Sequence, residues 1–157
     1  MAILHLAATA PINPPGATPV LNKEQVWAGL QRKVRFAHEF VPPITSCIVE
    51  KEEGNVVTRR VVFEGVRELS ETCTEYAPCR VDFRLEDGSE VANIVGDGPS
   101  GDEHDLHLTY AFKWVMPDIA EGSEEAKQTL AKQQEMARGA ISSSLATIRK
   151  MYAEGKL

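Results

Sequence analysis

Hydrophobic and polar positions change their period twice along the chain, and the changes divide it into three regions. Ala2 to Thr9 alternates loosely, as a strand with one covered face does. Pro11, Pro14, Pro15, Gly16 and Pro19 then exclude regular structure as far as Val20. Asn22 follows as an N-cap, with Gln25 three residues later at the spacing of a capping box. Val26, Leu30, Val34 and Ala37 recur at helical intervals with Trp27 beside them, and Pro42-Pro43 closes the element.

From Thr45 to Trp114 the period is two, broken by turn residues at regular intervals. The candidate strands are 45–52, 56–64, 68–76, 79–86, 90–96 and 105–115. Connections as short as Glu53-Gly54-Asn55, Ala77-Pro78 and Asp87-Gly88-Ser89 imply antiparallel neighbours, hence a meander. In one strand Cys79, Val81, Phe83 and Leu85 oppose Arg80, Asp82, Arg84 and Glu86. In another Leu106, Leu108, Tyr110, Phe112 and Trp114 oppose His107, Thr109 and Lys113. Each has one face for the core and one for water. The final region is helical. Ser123 caps it, Glu124 and Glu125 suit the positive end of the helix dipole, and an apolar stripe runs from Leu130 to Tyr152 before Gly155. Sheet and helix each carry one apolar face, so they must meet. The pattern predicts one α+β domain over residues 1–157: a curved antiparallel sheet of about seven strands around a long C-terminal helix, enclosing a hydrophobic cavity.

Composition narrows the function classes. The 157 residues carry 17 Lys and Arg against 23 Asp and Glu, a net charge of −6, and the basic residues form no cluster. That balance argues against the phosphate attraction on which nucleic-acid binders rely. Three cysteines, Cys47, Cys73 and Cys79, fall in no CxxC spacing and suit buried thiols in a reducing, cytoplasmic compartment. Ala2 to Ala10 imitates a short secretory leader but lacks a preceding basic residue, and no stretch reaches the ~20 apolar residues of a membrane span.

The order of elements, with the stretches Glu24-Gln25-Val26-Trp27-Ala28-Gly29-Leu30, Phe40-Val41-Pro42-Pro43-Ile44 and Leu108-Thr109-Tyr110-Ala111-Phe112-Lys113-Trp114, resembles a known group. It is similar to the START-like (SRPBCC, helix-grip) superfamily, in its AtaL-like branch of fungal and bacterial proteins, over nearly the whole chain. The resemblance implies a hydrophobic cavity, as in the lipid carriers, polyketide aromatases/cyclases and cofactor-free catalysts of the superfamily. It further implies a place in specialised metabolism, with a polyketide-, peptide- or terpenoid-like ligand. The superfamily has no universal catalytic set, so no reaction follows from the fold.

Polar residues on the apolar faces are therefore the informative ones. Arg59 shares a face with Val57, Val61 and Phe63, and a buried guanidinium needs partners. Glu71, flanked by Leu69 and Cys73, is placed to answer it. Two readings of this pair stay open: a structural ion pair that fixes the sheet, or an anchor for a ligand carboxylate, enolate or phenolate. Asn93, between Val91 and Val95, is either a satisfied core amide or a donor to a ligand carbonyl. Tyr110 is either a core aromatic or a hydroxyl that donates or shuttles a proton. In a catalyst, Arg59 and Asn93 would stabilise an oxyanion while Glu71 or Tyr110 moved the proton. The expected apolar lining is Trp27, Val61, Phe63, Phe83, Phe112, Trp114, Met136 and Ile141, with Gly139 and Ala140 leaving room beneath the terminal helix or permitting close packing.

Other chemistry is set aside. His38 suits a helix C-terminus, and His107 falls on a solvent face. His104 sits in the acidic loop Asp97–Asp105, which lacks calcium-loop spacing and reads as a solvated loop, a lid at most. Scattered Cys and His exclude a zinc spacing, and no metal is expected. There is no G-x-S-x-G elbow, P-loop or dinucleotide fingerprint, and no cofactor is expected. The expectation is an enzyme that takes a hydrophobic, oxygenated small molecule and directs a cyclisation, isomerisation or elimination. The rival is a carrier of the same ligand.

Overall fold

The computed structural model describes residues 1–157. Strand β1 (Ala2–Pro11) leads through the proline-rich segment to helix α1 (Lys23–Arg35) and a 3-10 turn (Ala37–Glu39). Strands β2 (Ile44–Glu53), β3 (Val56–Phe63), β4 (Arg67–Tyr76), β5 (Arg80–Leu85), β6 (Glu90–Asp97) and β7 (Leu106–Met116) follow, and helix α2 (Glu124–Ala153) ends the fold. These boundaries lie within two residues of those the pattern predicts. The capping box forms: Asn22 Oδ1 accepts from the Gln25 N–H, and Gln25 Oε1 accepts from the Asn22 N–H, both at 2.9 Å.

The seven strands make one antiparallel sheet in the order β1-β7-β6-β5-β4-β3-β2. Six of them follow the meander, while β1 crosses to the far edge and pairs along its whole length with β7. Register breaks near Thr45 and Glu50 in edge strand β2 add local twist, as bulges do. The inward residues of β3, β5 and β7 join α1 and the second half of α2 in one core, which includes Val26, Leu30, Val57, Val81, Leu108, Ile141 and Ile148. The first turns of α2 pack separately, with Ala126 against Ala2 and Leu4.

The two helices touch at one glycine. A Cβ added to Gly29 in mid-α1 would stand 2.7 Å from both Cγ1 and Cδ1 of Ile148 on α2. Two expectations fail on α2. Met136 is 52% exposed, because Ala137, Ile141, Ser144, Leu145 and Ile148 define the inner stripe and Met136 lies about 100° round the helix from Ala137. Gly139 is exposed too, and a Cβ there would meet nothing, so it neither makes room for a ligand nor allows close packing.

Candidate functional site

Two buried polar centres occupy the inner face. The first closes the end of α1. A helix leaves its last carbonyls without intrahelical partners. Arg59 supplies them: its Nη1 donates to the carbonyls of Lys33 at 2.9 Å and Val34 at 2.7 Å. Directly opposite on β4, Glu71 accepts from Arg59 Nε at 2.7 Å and from Nη2 at 2.5 Å, both through Oε2. Only 3% of Arg59 and 4% of Glu71 is exposed. Four of the guanidinium's five N–H groups are thus committed within the protein. Register brings the pair together as the alternation predicts, and the partners give it a structural task. Arg35 reinforces the same helix end from outside, bound to Glu75 at 3.0 and 3.1 Å and to Glu52 at 2.6 Å.

The second centre is differently satisfied. Asn93 on β6 and Tyr110 on β7 are cross-strand neighbours, both essentially without exposure. Lys33, from the inner side of α1, reaches down between them. Its Nζ donates to Asn93 Oδ1 at 3.0 Å and lies 4.2 Å from the centroid of the Tyr110 ring and 5.7 Å from that of Phe83. Only 8% of Lys33 itself is exposed. The Asn93 Nδ2 and the Tyr110 hydroxyl are buried without any hydrogen-bond partner. Buried polar groups are nearly always paired, so these two cross-strand neighbours each have a hydrogen bond still to make.

The expected apolar lining belongs to the same core. Val61, Phe83 and Ile141 are buried, and Trp27, Phe63, Phe112 and Trp114 are half-buried while packed against the core. Phe112 stacks on Trp114 at 5.5 Å and meets Tyr110 edge-on at 6.3 Å. Burial, partly opposed by Arg59, pushes the Cys73 thiol up to about 12. The acidic loop is well formed. Asp105 accepts from the Ser100 N–H and hydroxyl, which hold its carboxyl below the usual range, and Asn13 Nδ2 donates to the His104 carbonyl at 2.9 Å. That loop and the proline-rich segment line a groove of about 470 Å³, which none of the predicted lining residues borders.

Lys33 is the residue that sequence reasoning missed. The signal was present: Val26, Leu30, Lys33 and Ala37 are spaced four, three and four apart, which puts the lysine on the buried stripe of α1. Val34, the next residue, is buried too and satisfies the same helical spacing, so the apolar pattern does not require the lysine.

A family model described as "Acetylaranotin biosynthesis cluster protein L" matches residues 6–155. The chain belongs to the AtaL family. This AtaL-family chain is 27% identical over 156 residues to the Aspergillus terreus protein of that description, covering 98% of its own length and 92% of the relative. Among solved structures it is similar to the di-domain ARO/CYC StfQ of the steffimycin biosynthetic pathway, with a TM-score of 0.70 at 8% identity. The match takes in 97% of this chain and 51% of StfQ, so the chain spans about half of that protein. The Zhui aromatase/cyclase from Streptomyces sp. R1128 matches at TM-score 0.63 and 13% identity, over 96% of each chain. An AHSA1-like protein from Aeromonas hydrophila matches at 0.55 and 20%, over 98% and 96%. The AtaL-family fold is therefore the START-like helix-grip fold. No helix in it is long and apolar enough to cross a membrane.

Proposed function

We propose that this AtaL-family protein binds a hydrophobic, oxygenated metabolite between its sheet and its terminal helix, and directs a cyclisation, isomerisation or elimination of it in specialised metabolism. The observation that carries the reading is the pair of orphaned donors, Asn93 Nδ2 and Tyr110 Oη, buried on the apolar inner face beside half-buried aromatics. A ligand oxygen at that point completes both hydrogen bonds, while Trp27, Phe112 and Trp114 cover the apolar body. Asn93 stabilises negative charge as it develops on that oxygen, and Tyr110 gives or takes the proton. Enclosure between sheet and helix holds one reactive conformer of a flexible substrate. Arg59 and Glu71 act at one remove, by fixing the end of α1. The names of the relatives, a biosynthesis cluster protein and aromatase/cyclases, support the biosynthetic setting.

The test is mass spectrometry of a metabolite extract incubated with catalytic amounts of the protein beside a heat-killed control. A product in excess of the protein supports the enzyme, and its mass change names the reaction. A compound that co-purifies in stoichiometric amount and emerges unchanged replaces this reading with that of a carrier.

A further inference from the structure

The charge at the second polar centre is unbalanced. Lys33 is buried, yet the only buried carboxylate, Glu71, is engaged by Arg59, and Lys33 forms no ion pair of its own. Its one hydrogen bond uses one of three N–H groups. The hydrogens left over are two on Lys33 Nζ, two on Asn93 Nδ2 and one on Tyr110 Oη, while the Asn93 carbonyl oxygen is already taken by Lys33. So the centre offers donors and a positive charge. The faces of the Tyr110 and Phe83 rings stabilise an ammonium only partly. A neutral ligand would leave the lysine buried without a counter-charge, which is costly.

We infer that Lys33 is the counter-ion for an anionic oxygen of the ligand, a carboxylate or an enolate or phenolate, with Asn93 Nδ2 and Tyr110 Oη as its other donors. This rests on the proposed ligand site and specifies its substrate class. The first polar centre serves the second. Arg59 Nη1 holds the carbonyl of Lys33 itself at 2.9 Å, so the backbone that aims the ammonium is tied to β3. The ammonium then approaches a ligand oxygen from the α1 side, and the amide and phenol approach it from the sheet.

Calorimetric titration at pH 7.5 with three probes tests this: 2-naphthoate, its uncharged methyl ester, and benzoylacetone, a 1,3-diketone whose enolate has its own absorption band. The wild type should bind naphthoate about tenfold or more tighter than the ester, the scale of a hydrogen bond to a charged group. Lys33→Met keeps the apolar stem, and should erase that preference while leaving ester affinity within about threefold. Ester binding also shows that the variant is folded, and Lys33→Arg should keep a preference for the anion. An enolate band on adding benzoylacetone assigns the enolate or phenolate source, and naphthoate preference without it assigns the carboxylate. Ester binding with no preference for naphthoate, or a preference that survives in Lys33→Met, overturns the inference and leaves the ligand site standing. Failure of all three probes to bind the wild type overturns both.

Discussion

Replacing Arg59 by methionine separates a structural guanidinium from a ligand anchor. The substitution removes two hydrogen bonds to Glu71 and two to the last carbonyls of α1, all in a region 3–4% exposed. A carboxylate left buried without its partner costs about 3–5 kcal/mol. The carbonyls of Lys33 and Val34 add to this, since an unsatisfied buried acceptor costs about 1–3 kcal/mol, though the two losses overlap. We expect Arg59→Met to destabilise by about 4 kcal/mol, a large part of the 5–15 kcal/mol of a typical domain. In urea, with a slope of about 2 kcal/mol/M, the midpoint should fall by about 2 M. Circular dichroism at 222 nm reads it. The double variant Arg59→Met/Glu71→Leu removes the stranded charge and should recover about half of the loss, leaving the cost of the helix-end carbonyls. A fall of less than about 1 kcal/mol in Arg59→Met, together with lost ligand binding, would refute the structural assignment and restore Arg59 as the anchor.

Three further outcomes are expected. Gly29→Ala gains about 1 kcal/mol of helix propensity but drives a methyl into two Ile148 carbons at 2.7 Å, on a side chain that is stiff at χ1. Overpacking at about 2–3 kcal/mol wins, so thermal unfolding should come about 2–8 °C earlier; a raised midpoint would contradict it. Arg32 donates twice to Glu39, at 2.7 and 2.9 Å, and holds that carboxyl below its ordinary value. Between the folded and unfolded pKa values the unfolded chain binds more protons, so this contribution is complete above about pH 4.5 and is lost as pH falls through the folded value. Glu39→Gln should flatten that part of the acid limb, and an unchanged slope would count against the pairing. With its pKa raised to about 12, the Cys73 thiol should resist iodoacetamide at pH 8 until the protein is unfolded, as peptide mapping of the labelled chain would show. The sign at high pH is the reverse of Glu39's: the folded state holds the thiol proton longer, so stability is lost as pH rises above the unfolded value near 9.

Local pattern alone determined the strands, the helices and their caps, because alternation, capping residues and turn chemistry act over a few residues. The capping box at Asn22 and Gln25, the β2 to β7 meander and the Ser123 start of α2 are all of this kind. Period two also put Arg59, Glu71, Asn93 and Tyr110 on the inner face, since a strand residue has only two faces to choose from. A helix offers a continuous circle instead, and there the pattern misplaced Met136 and passed over Lys33. Tertiary structure decided what no local rule contains. It paired β1 with β7, where Thr9 meets Thr109 across 100 residues of sequence, and it set Gly29 against Ile148. It also divided four inward polar residues into two centres. The end of α1 comes to rest where its carbonyls meet Arg59, which consumes that guanidinium and delivers Lys33 to Asn93 and Tyr110. Which buried donors find partners within the fold and which do not depends on groups 25 to 60 residues away in sequence. Only packing brings such partners within the 3 Å at which a hydrogen bond exists.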